Sequence, residues 1–166
     1  REGEEGGYTM TMEQIAQRVK DGLKQGIQEI HITSGLHPGL PFSYYTDMLS
    51  TIKSVAPHIH IKGFTAVEIE YYANHYNMTM RAVLEALMRA GLEAMPGGGA
   101  EIFAQRVREK ICDEKATAEG WFKVHGMAHE LGLMTNATML YGHIERYDER
   151  IDHLIRLRDL QDVSLA

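Results

Sequence analysis

Cysteine is almost missing from this sequence, which has Cys112 as its single thiol in 166 residues. A lone cysteine excludes an internal disulfide and indicates a reducing compartment such as the cytoplasm. Long apolar runs are missing too, so no segment of the sequence predicts a membrane span. Arg1–Gly7 does not resemble a signal peptide; it is polar and glycine-rich, and we expect an exposed connector there.

Positive charge is also scarce. The 17 Lys and Arg residues against 23 Asp and Glu residues give a net charge of −6, and the basic residues form no cluster. This balance argues against a nucleic-acid partner. The 44% hydrophobic and 24% charged residues are ordinary for a globular protein, and the length suits one domain with a real core. We therefore predict a single domain over residues 1–166 that binds neither nucleic acid nor membrane.

Three common cofactor fingerprints are absent. The third glycine of a G-x-G-x-x-G dinucleotide motif that starts at Gly97 would fall on Ile102. No G-x-x-x-x-G-K-[ST] phosphate loop occurs. His125 and His129 lie one helical turn apart but lack the glutamate of H-E-x-x-H, so we predict no metal ligands from them.

A regular alternation of helices and strands is present instead. Apolar periodicity predicts helices from Thr11 to Gly26 and over Phe42–Val55, Thr65–Tyr76, Met80–Ala90, Ala100–Ile111, Ala118–Leu131 and Asp148–Gln161. Strands are predicted at Gln28–Thr33, His58–Gly63, Leu92–Met95 and Leu133–Leu140. Three helices end in a glycine followed by an apolar residue, which is typical of a left-handed C-cap: Gly26, Gly91 and Gly132.

This alternation predicts an α/β fold with parallel strands covered by helices. Four βα units do not close a barrel, since a complete eightfold barrel takes about 250 residues. The chain is therefore either an open sheet or part of a (β/α) barrel. Both architectures bind ligands at the carboxyl ends of their strands.

Polar and small residues gather just past the predicted strand ends. They are Ser34, Gly35, His37, Thr65, Glu68, Gly97, Gly98, Gly99, Glu101, Asn136, Thr138, Tyr141, Gly142, His143 and Glu145. Any one of the three glutamates could be a surface carboxylate. Their equivalent positions in three βα units, beside two histidines, predict a polar pocket for hydroxyls, amines or a ribose.

The glycine triplet Gly97–Gly99 is the most unusual stretch. Consecutive glycines are tolerated where something approaches the backbone or where φ is positive. We place Glu101 in the first turn of the following helix, where a carboxylate complements exposed N–H groups. A plain tight turn with a capping glutamate is the alternative interpretation.

Several stretches together resemble one enzyme family. HIKGFTAVEI at 60–69, PGGGAEI at 96–102 and TNATMLYGHIE at 135–145 resemble radical S-adenosylmethionine enzymes of the futalosine route to menaquinone, and SGLHP at 34–38 and VREKIC at 107–112 fit too. Two branches, cyclic dehypoxanthine futalosine synthase and the deazaflavin (FO) synthase subunit, usually carry Ser-Pro in place of Thr65-Ala66 and threonine in place of Asn136. The resemblance therefore favours the branch that makes aminofutalosine.

The resemblance implies a TIM-like barrel, a [4Fe–4S] iron–sulfur cluster with S-adenosylmethionine on its open iron, and a carboxyvinyloxy-benzoate substrate. A 5′-deoxyadenosyl radical adds to the enol-ether double bond in such enzymes, and the protein supplies positioning and exclusion of water. The implied cofactor contacts are Ser34, Gly35, Glu68, Gly97, Gly98, Gly99, Glu101 and Asn136. The implied substrate contacts are His37, Thr65, Tyr141, His143 and Glu145.

The sequence departs from the family pattern in three places. The C-x-x-x-C-x-x-C motif is absent, so we expect an inactive internal fragment whose cysteine triad precedes Arg1 and whose later strands follow Ala166. Thr33-Ser34-Gly35 stands where Gly-Gly-Glu is frequent, and residues 138–145 keep only part of G-x-I-x-G-x-x-E. A non-catalytic α/β binding module is the alternative from another class.

Overall fold

The structure, a computed structural model, describes residues 7–113 and 115–166. Most of the predicted connector, residues 1–6, lies outside these ranges. The elements in chain order are α1 Met12–Lys24, β1 Glu29–Ile32, α2 Phe42–Val55, β2 His60–Gly63, α3 Ala66–His75, α4 Met80–Ala90, β3 Ala94–Met95, α5 Gln105–Ile111, α6 Ala118–Glu130, β4 Met134–Thr135 and α7 Tyr147–Leu165.

The four strands form one parallel sheet in the order β1-β2-β3-β4. Ile30 pairs with Ile61, and Ala94 pairs with Lys62 on one side and Met134 on the other. Strand order equal to chain order, with a helix in each crossover, is the arrangement of consecutive units in a (β/α) barrel. The prediction of a partial parallel α/β barrel is confirmed.

The two faces of the sheet differ in character. Ile59, Ile61 and Met95 are buried on the helix-covered face, in one core with residues of α2, α3, α4 and α6. Alternation along the strands puts Glu29 and Lys62 on the opposite face, where Lys62 Nζ lies 2.8 Å from Glu29 Oε1. In a (β/α) arrangement this polar face looks towards the barrel axis.

Helix caps follow the local sequence closely. Thr11 and Thr65 each form a capping box, with Gln14 and Glu68 respectively. Thr79 and Thr117 accept the N3 amide of α4 and α6. The three predicted C-cap glycines all have positive φ: Gly26 at 79°, Gly91 at 122° and Gly132 at 78°.

Two predicted elements are wrong in part. The helix predicted from Ala100 begins only at Gln105, and Glu101 lies in an irregular segment with φ of 44°. Glu101 is therefore not in the first turn of a helix. The strand predicted to reach Leu140 ends at Thr135, because the Leu140 amide donates to the carbonyl of Glu101 and not to a neighbouring strand.

Over the described ranges, no helix is both long and apolar enough to cross a bilayer. Cys112 is buried at the C-terminal cap of α5. Its burial favours a structural role for this thiol over a nucleophilic one.

Candidate functional site

The carboxyl ends of β1, β2 and β3 border a cavity of about 350 Å³. Most of its walls come from residues predicted to contact a cofactor or substrate: Ser34, Gly35, Thr65, Glu68, Gly98, Gly99 and Glu101. Thr33, Leu36, Val67 and Lys115 complete the lining. The first three βα units therefore bring their predicted site residues together.

Glu68 connects two walls of this cavity. Its side chain is buried, and Oε1 accepts a hydrogen bond from Ser34 Oγ at 2.6 Å. Oε2 accepts from the backbone amide of Thr65 at 2.8 Å and from Thr65 Oγ1 at 2.9 Å. The same carboxylate thus caps α3 and ties the end of β1 to the end of β2. Glu68 orients two of the hydroxyl-bearing residues that line the cavity, Ser34 and Thr65.

A buried tyrosine lies behind this contact. The Tyr72 hydroxyl is 3.3 Å from Ser34 Oγ, and burial, with the Glu68 carboxylate nearby, raises the pKa of Tyr72 above its ordinary value. The Ser34 proton is directed to Glu68 at the shorter distance, so a neutral Tyr72 donates to Ser34. This chain of hydroxyls fixes the Ser34 side chain.

The glycine triplet has two distinct roles. A Cβ on Gly97 would lie 2.7 Å from the carbonyl oxygen of Asn136, so Gly97 permits a close approach to the protein's own backbone. Gly98 and Gly99 line the cavity, and Gly99 has φ of 89°. The predicted ligand-facing character therefore applies to Gly98 and Gly99 more directly than to Gly97.

Glu101 is held in the cavity wall by a cation that sequence reasoning missed. Lys115 Nζ lies 2.6 Å from Glu101 Oε1, and both side chains border the cavity. Lys115 precedes α6 by a short loop and shares no local pattern with Glu101. Only the tertiary fold reveals this pair.

A second missed residue is Arg108, whose buried guanidinium donates to carbonyl oxygens of the segment that carries Glu101. Arginine is usually exposed, so its place on an amphipathic helix gave no signal of this role.

His37 lies in a second cavity of about 1200 Å³ next to the first. The two cavities share the wall formed by residues 33–36. His37 Nδ1 accepts the amide of Gly39 at 3.1 Å, and Tyr44, Tyr45 and Tyr71 line the same space. His37 is thus near the first cavity without bordering it.

The remaining predicted contacts follow β4 and border neither cavity. Glu145 accepts hydrogen bonds from the amides of Gly142 at 2.6 Å and His143 at 3.0 Å, and from Arg150 Nε at 2.7 Å. The Gly142 amide is the largest of the causes that lower the pKa of Glu145 to about 2. Glu145 closes its own turn and anchors the start of α7.

Three other predicted residues belong to the same connection. His143 Nε2 lies 3.0 Å from the Leu140 carbonyl, and the exposed Tyr141 ring lies beneath the guanidinium of Arg150 at 5.5 Å. Asn136 contributes its backbone amide to the Met95 carbonyl at 2.9 Å. The structure does not bring this group to the cavity formed by the first three units.

A parallel βα sheet with a polar cavity at the carboxyl ends of its strands defines a class of small-molecule enzymes built on the (β/α) barrel. Within that class, the chain belongs to the radical SAM superfamily, whose family model matches residues 1–157.

The chain is similar to members of two named groups of enzymes. The chain is 51% identical over 162 residues to an aminodeoxyfutalosine synthase of Thermus thermophilus. The aligned region covers 98% of this chain and 44% of the relative. It is 44% identical over 160 residues to an aminodeoxyfutalosine synthase of Streptomyces coelicolor, covering 96% and 41%. It is also 43% identical over 155 residues to a 5-amino-6-(D-ribitylamino)uracil–L-tyrosine 4-hydroxyphenyl transferase of Methanopyrus kandleri, covering 93% and 42%. The chain spans less than half the length of these relatives.

The residues present fit one of the two cofactors that the family implies. Residues 7–113 and 115–166 contain no group of three His, Cys, Asp or Glu side chains placed to hold a metal ion. They do not fit a [4Fe–4S] cluster, which takes cysteine thiolates as ligands. The hydroxyls, the Glu101–Lys115 pair and the glycine backbone around the cavity do fit a polar, ribose-bearing ligand such as S-adenosylmethionine.

Proposed function

We propose that the intact protein is an aminodeoxyfutalosine synthase that adds a 5′-deoxyadenosyl radical to the double bond of a carboxyvinyloxy-benzoate, forming aminofutalosine for menaquinone. The identity of 51% to the Thermus thermophilus enzyme carries this proposal. Thr65-Ala66 and Asn136, which set this branch apart in the sequence, support it. When bound, the cluster and S-adenosylmethionine supply the radical chemistry. The protein works in the cytoplasm, where a free thiol such as Cys112 stays reduced.

In this proposal the cavity of about 350 Å³ receives the adenosyl part of S-adenosylmethionine. Glu101 accepts hydrogen bonds from the ribose hydroxyls while Lys115 holds its other oxygen. Ser34 and Thr65, oriented by Glu68, present polar atoms to the same ligand, and the backbone at Gly35, Gly98 and Gly99 leaves room for it. Gly97 and Asn136 shape the loop behind Gly98.

The substrate lies beyond the cofactor in this proposal. His37 borders the neighbouring cavity, and Thr65 stands at the end of β2. Tyr141, His143 and Glu145 lie in the connection from β4 to α7 and approach the substrate from the other side.

The second candidate function is a transferase acting on L-tyrosine and 5-amino-6-(D-ribitylamino)uracil. The chain is nearly as similar to the Methanopyrus kandleri transferase, at 43% identity, as to the Streptomyces coelicolor synthase, at 44%. Membership of an enzyme family argues against the non-catalytic binding module considered from the sequence.

One assay separates these functions. The full-length protein is reconstituted anaerobically with iron and sulfide and given S-adenosylmethionine with either carboxyvinyloxy-benzoate or the tyrosine and uracil pair. Mass spectrometry of the benzoate reaction should show a product that retains the adenosyl group, because the radical adds to the substrate. A product only from the tyrosine reaction would establish the second candidate, and no product from either would refute both.

A further inference from the structure

Arg108 is a buried cation held by backbone carbonyls. It is 3% exposed, and its guanidinium donates to the carbonyl oxygens of Ala100 at 2.7 Å, Gly99 at 3.1 Å and Ile102 at 3.3 Å, and to that of Ala116. In the part of the chain that the structure describes, no carboxylate forms a hydrogen bond or ion pair with it. A buried charge is costly unless it is fully hydrogen-bonded, so these carbonyls are what keeps the guanidinium in place.

The segment that supplies these carbonyls, residues 97–102, has a backbone that needs support. Gly99 has φ of 89° and Glu101, which is not a glycine, has φ of 44°. A non-glycine residue keeps a left-handed conformation only where surrounding contacts impose it. The five donors of an arginine in a planar fork can satisfy several such carbonyls at once.

Two further donors hold the same segment, residues 97–102. Thr138 Oγ1 donates to the Gly97 carbonyl at 2.8 Å, and the Leu140 amide donates to the Glu101 carbonyl at 2.9 Å. With the three bonds from Arg108, five hydrogen bonds hold the carbonyl oxygens of residues 97 and 99–102. Gly98, Gly99 and the Glu101 side chain remain on the cavity side.

The fourth bond of Arg108 reaches a different part of the chain. Ala116 follows Lys115, whose Nζ lies 2.6 Å from Glu101 Oε1 at the cavity. One guanidinium therefore fixes the backbone next to both members of the Glu101–Lys115 pair. A lysine at 108 could not do this, because a single ammonium cannot span carbonyls of two segments as a fork does.

We propose that Arg108 is a positioning residue for the ligand cavity: without touching the ligand, it holds residues 97–102 and Lys115 so that Glu101 faces the cavity in a fixed place. The identity of the ligand, S-adenosylmethionine, rests on the proposed function. The positioning role of Arg108 does not depend on the proposed function.

The first test uses no ligand. Hydrogen–deuterium exchange is measured on the full-length protein without cluster or S-adenosylmethionine, for the wild type and Arg108→Lys. Amides of residues 98–103 should exchange about tenfold faster in the variant, while those of α3 stay unchanged. Equal exchange at 98–103 would overturn the inference.

Two further variants make this test specific. Arg106→Lys on the same helix is the matched control, because Arg106 bonds Glu149 and the Ile144 carbonyl, outside the segment. It should leave residues 98–103 protected. Lys115→Met removes the half-exposed cation and keeps Arg108, so protection should also persist. Exchange about tenfold faster at residues 98–103 in Lys115→Met would show that the ion pair holds the segment. This result would refute the role of Arg108 whether or not Arg108→Lys folds.

The second test measures S-adenosylmethionine affinity by calorimetry on reconstituted full-length protein. Arg108→Lys and Glu101→Gln should each weaken binding by about tenfold, and the double variant should be within about threefold of either, because the arginine acts through the glutamate. Multiplicative losses, or wild-type affinity in Arg108→Lys, would overturn the inference. No binding by the wild type would refute the proposed function, and the exchange test would still decide the role of Arg108.

Discussion

His125 is a buried histidine, and neither of its ring nitrogens has a hydrogen-bond partner among residues 7–113 and 115–166. It stacks on Trp121, with ring centroids 3.7 Å apart and an interplanar angle of 17°. Burial, reinforced by the nearby His129, lowers the pKa of His125 from 6.5 to about 3. Its ring therefore packs as a neutral aromatic group, because the described residues offer an imidazolium no hydrogen-bond acceptor.

The pH dependence of stability follows from this residue. Above pH 6.5 the ring is neutral in both states, and stability is insensitive to its titration. As pH falls below 6.5 the unfolded chain binds a proton that the folded protein refuses until about pH 3, so the free energy of unfolding falls by roughly 2 kcal/mol at pH 5. His125→Phe keeps the stacking and removes this loss.

Urea unfolding at pH 7 and pH 5 measures the effect as a difference between wild type and variant. His129 and His153, whose pKa values burial also lowers, are present in both proteins and largely cancel. The same loss of stability in both proteins would show that His125 is not the group responsible.

Residues that line the cavity were predictable where polar side chains lie within a few residues of a strand's carboxyl end. Ser34, Thr65, Glu68 and Glu101 are such residues, and the parallel sheet brings them to one cavity. Arg108 and Lys115 were not predicted. Each side chain contacts residues outside its own helix or loop, and hydrophobic periodicity in the sequence does not indicate such contacts. The local role of Glu145 was not predicted: its carboxylate accepts hydrogen bonds from amides of its own turn and from Arg150.

At the scale of elements, the glycine turn after β3 shows how one missing side chain shapes a loop. Gly97→Ala would put a Cβ 2.7 Å from the Asn136 oxygen and 2.8 Å from Ala137 backbone atoms, and a backbone cannot yield as a side-chain tip does. We expect the free energy of unfolding to fall by about 1–3 kcal/mol, as for other overpacked sites.

The matched control is Gly35→Ala, at a glycine that lines the cavity and where an added Cβ meets nothing within 4 Å. This change should stay within about 0.5 kcal/mol of wild type in the same unfolding experiment. Equal stabilities of the two alanine variants would mean that the loop behind Gly97 moves aside freely.

Element boundaries were predictable where their signals are local. Thr11, Thr65, Thr79 and Thr117 cap helices through contacts three residues away, and the predicted starts of these four helices fall within one residue of the observed ones. Residues 100–104 were read as helix because their composition permits one. There the carbonyls of Ala100, Glu101 and Ile102 are taken by Arg108 and the Leu140 amide, so tertiary donors replaced the helical ones.

At the scale of the whole molecule, the sheet is covered by helices on one face and polar on the other. Lys62 pairs with Glu29 on that polar face, and His60 lies 3.8 Å from the same glutamate. The parallel order was predictable because glycine-capped helices and short strands repeat along the chain. The polar inner face was not predictable from the sequence, because His31 and Lys62 lie side by side on it only through the register of β1 against β2.

The iron–sulfur cluster that the family implies depends on cysteine ligands drawn from the whole molecule. The 166-residue sequence contains one cysteine, and Cys112 is buried at the end of α5. A [4Fe–4S] cluster needs several cysteine thiolates converging on one point. We expect that anaerobic reconstitution of this 166-residue chain with iron and sulfide, followed by desalting, leaves no stoichiometric cluster absorbance.

Two further proteins, treated in parallel, serve as controls for the reconstitution of the 166-residue chain. Full-length protein should retain a cluster under the same conditions, which shows that the reagents work. Cys112→Ser in the 166-residue chain should give the same trace of iron as the unmodified chain, because a single buried thiol cannot hold a cluster. About one iron per chain after desalting of the unmodified chain, lost in the serine variant, would mean that Cys112 becomes exposed and that several chains share one cluster. The assignment of Cys112 as a structural thiol would then be wrong.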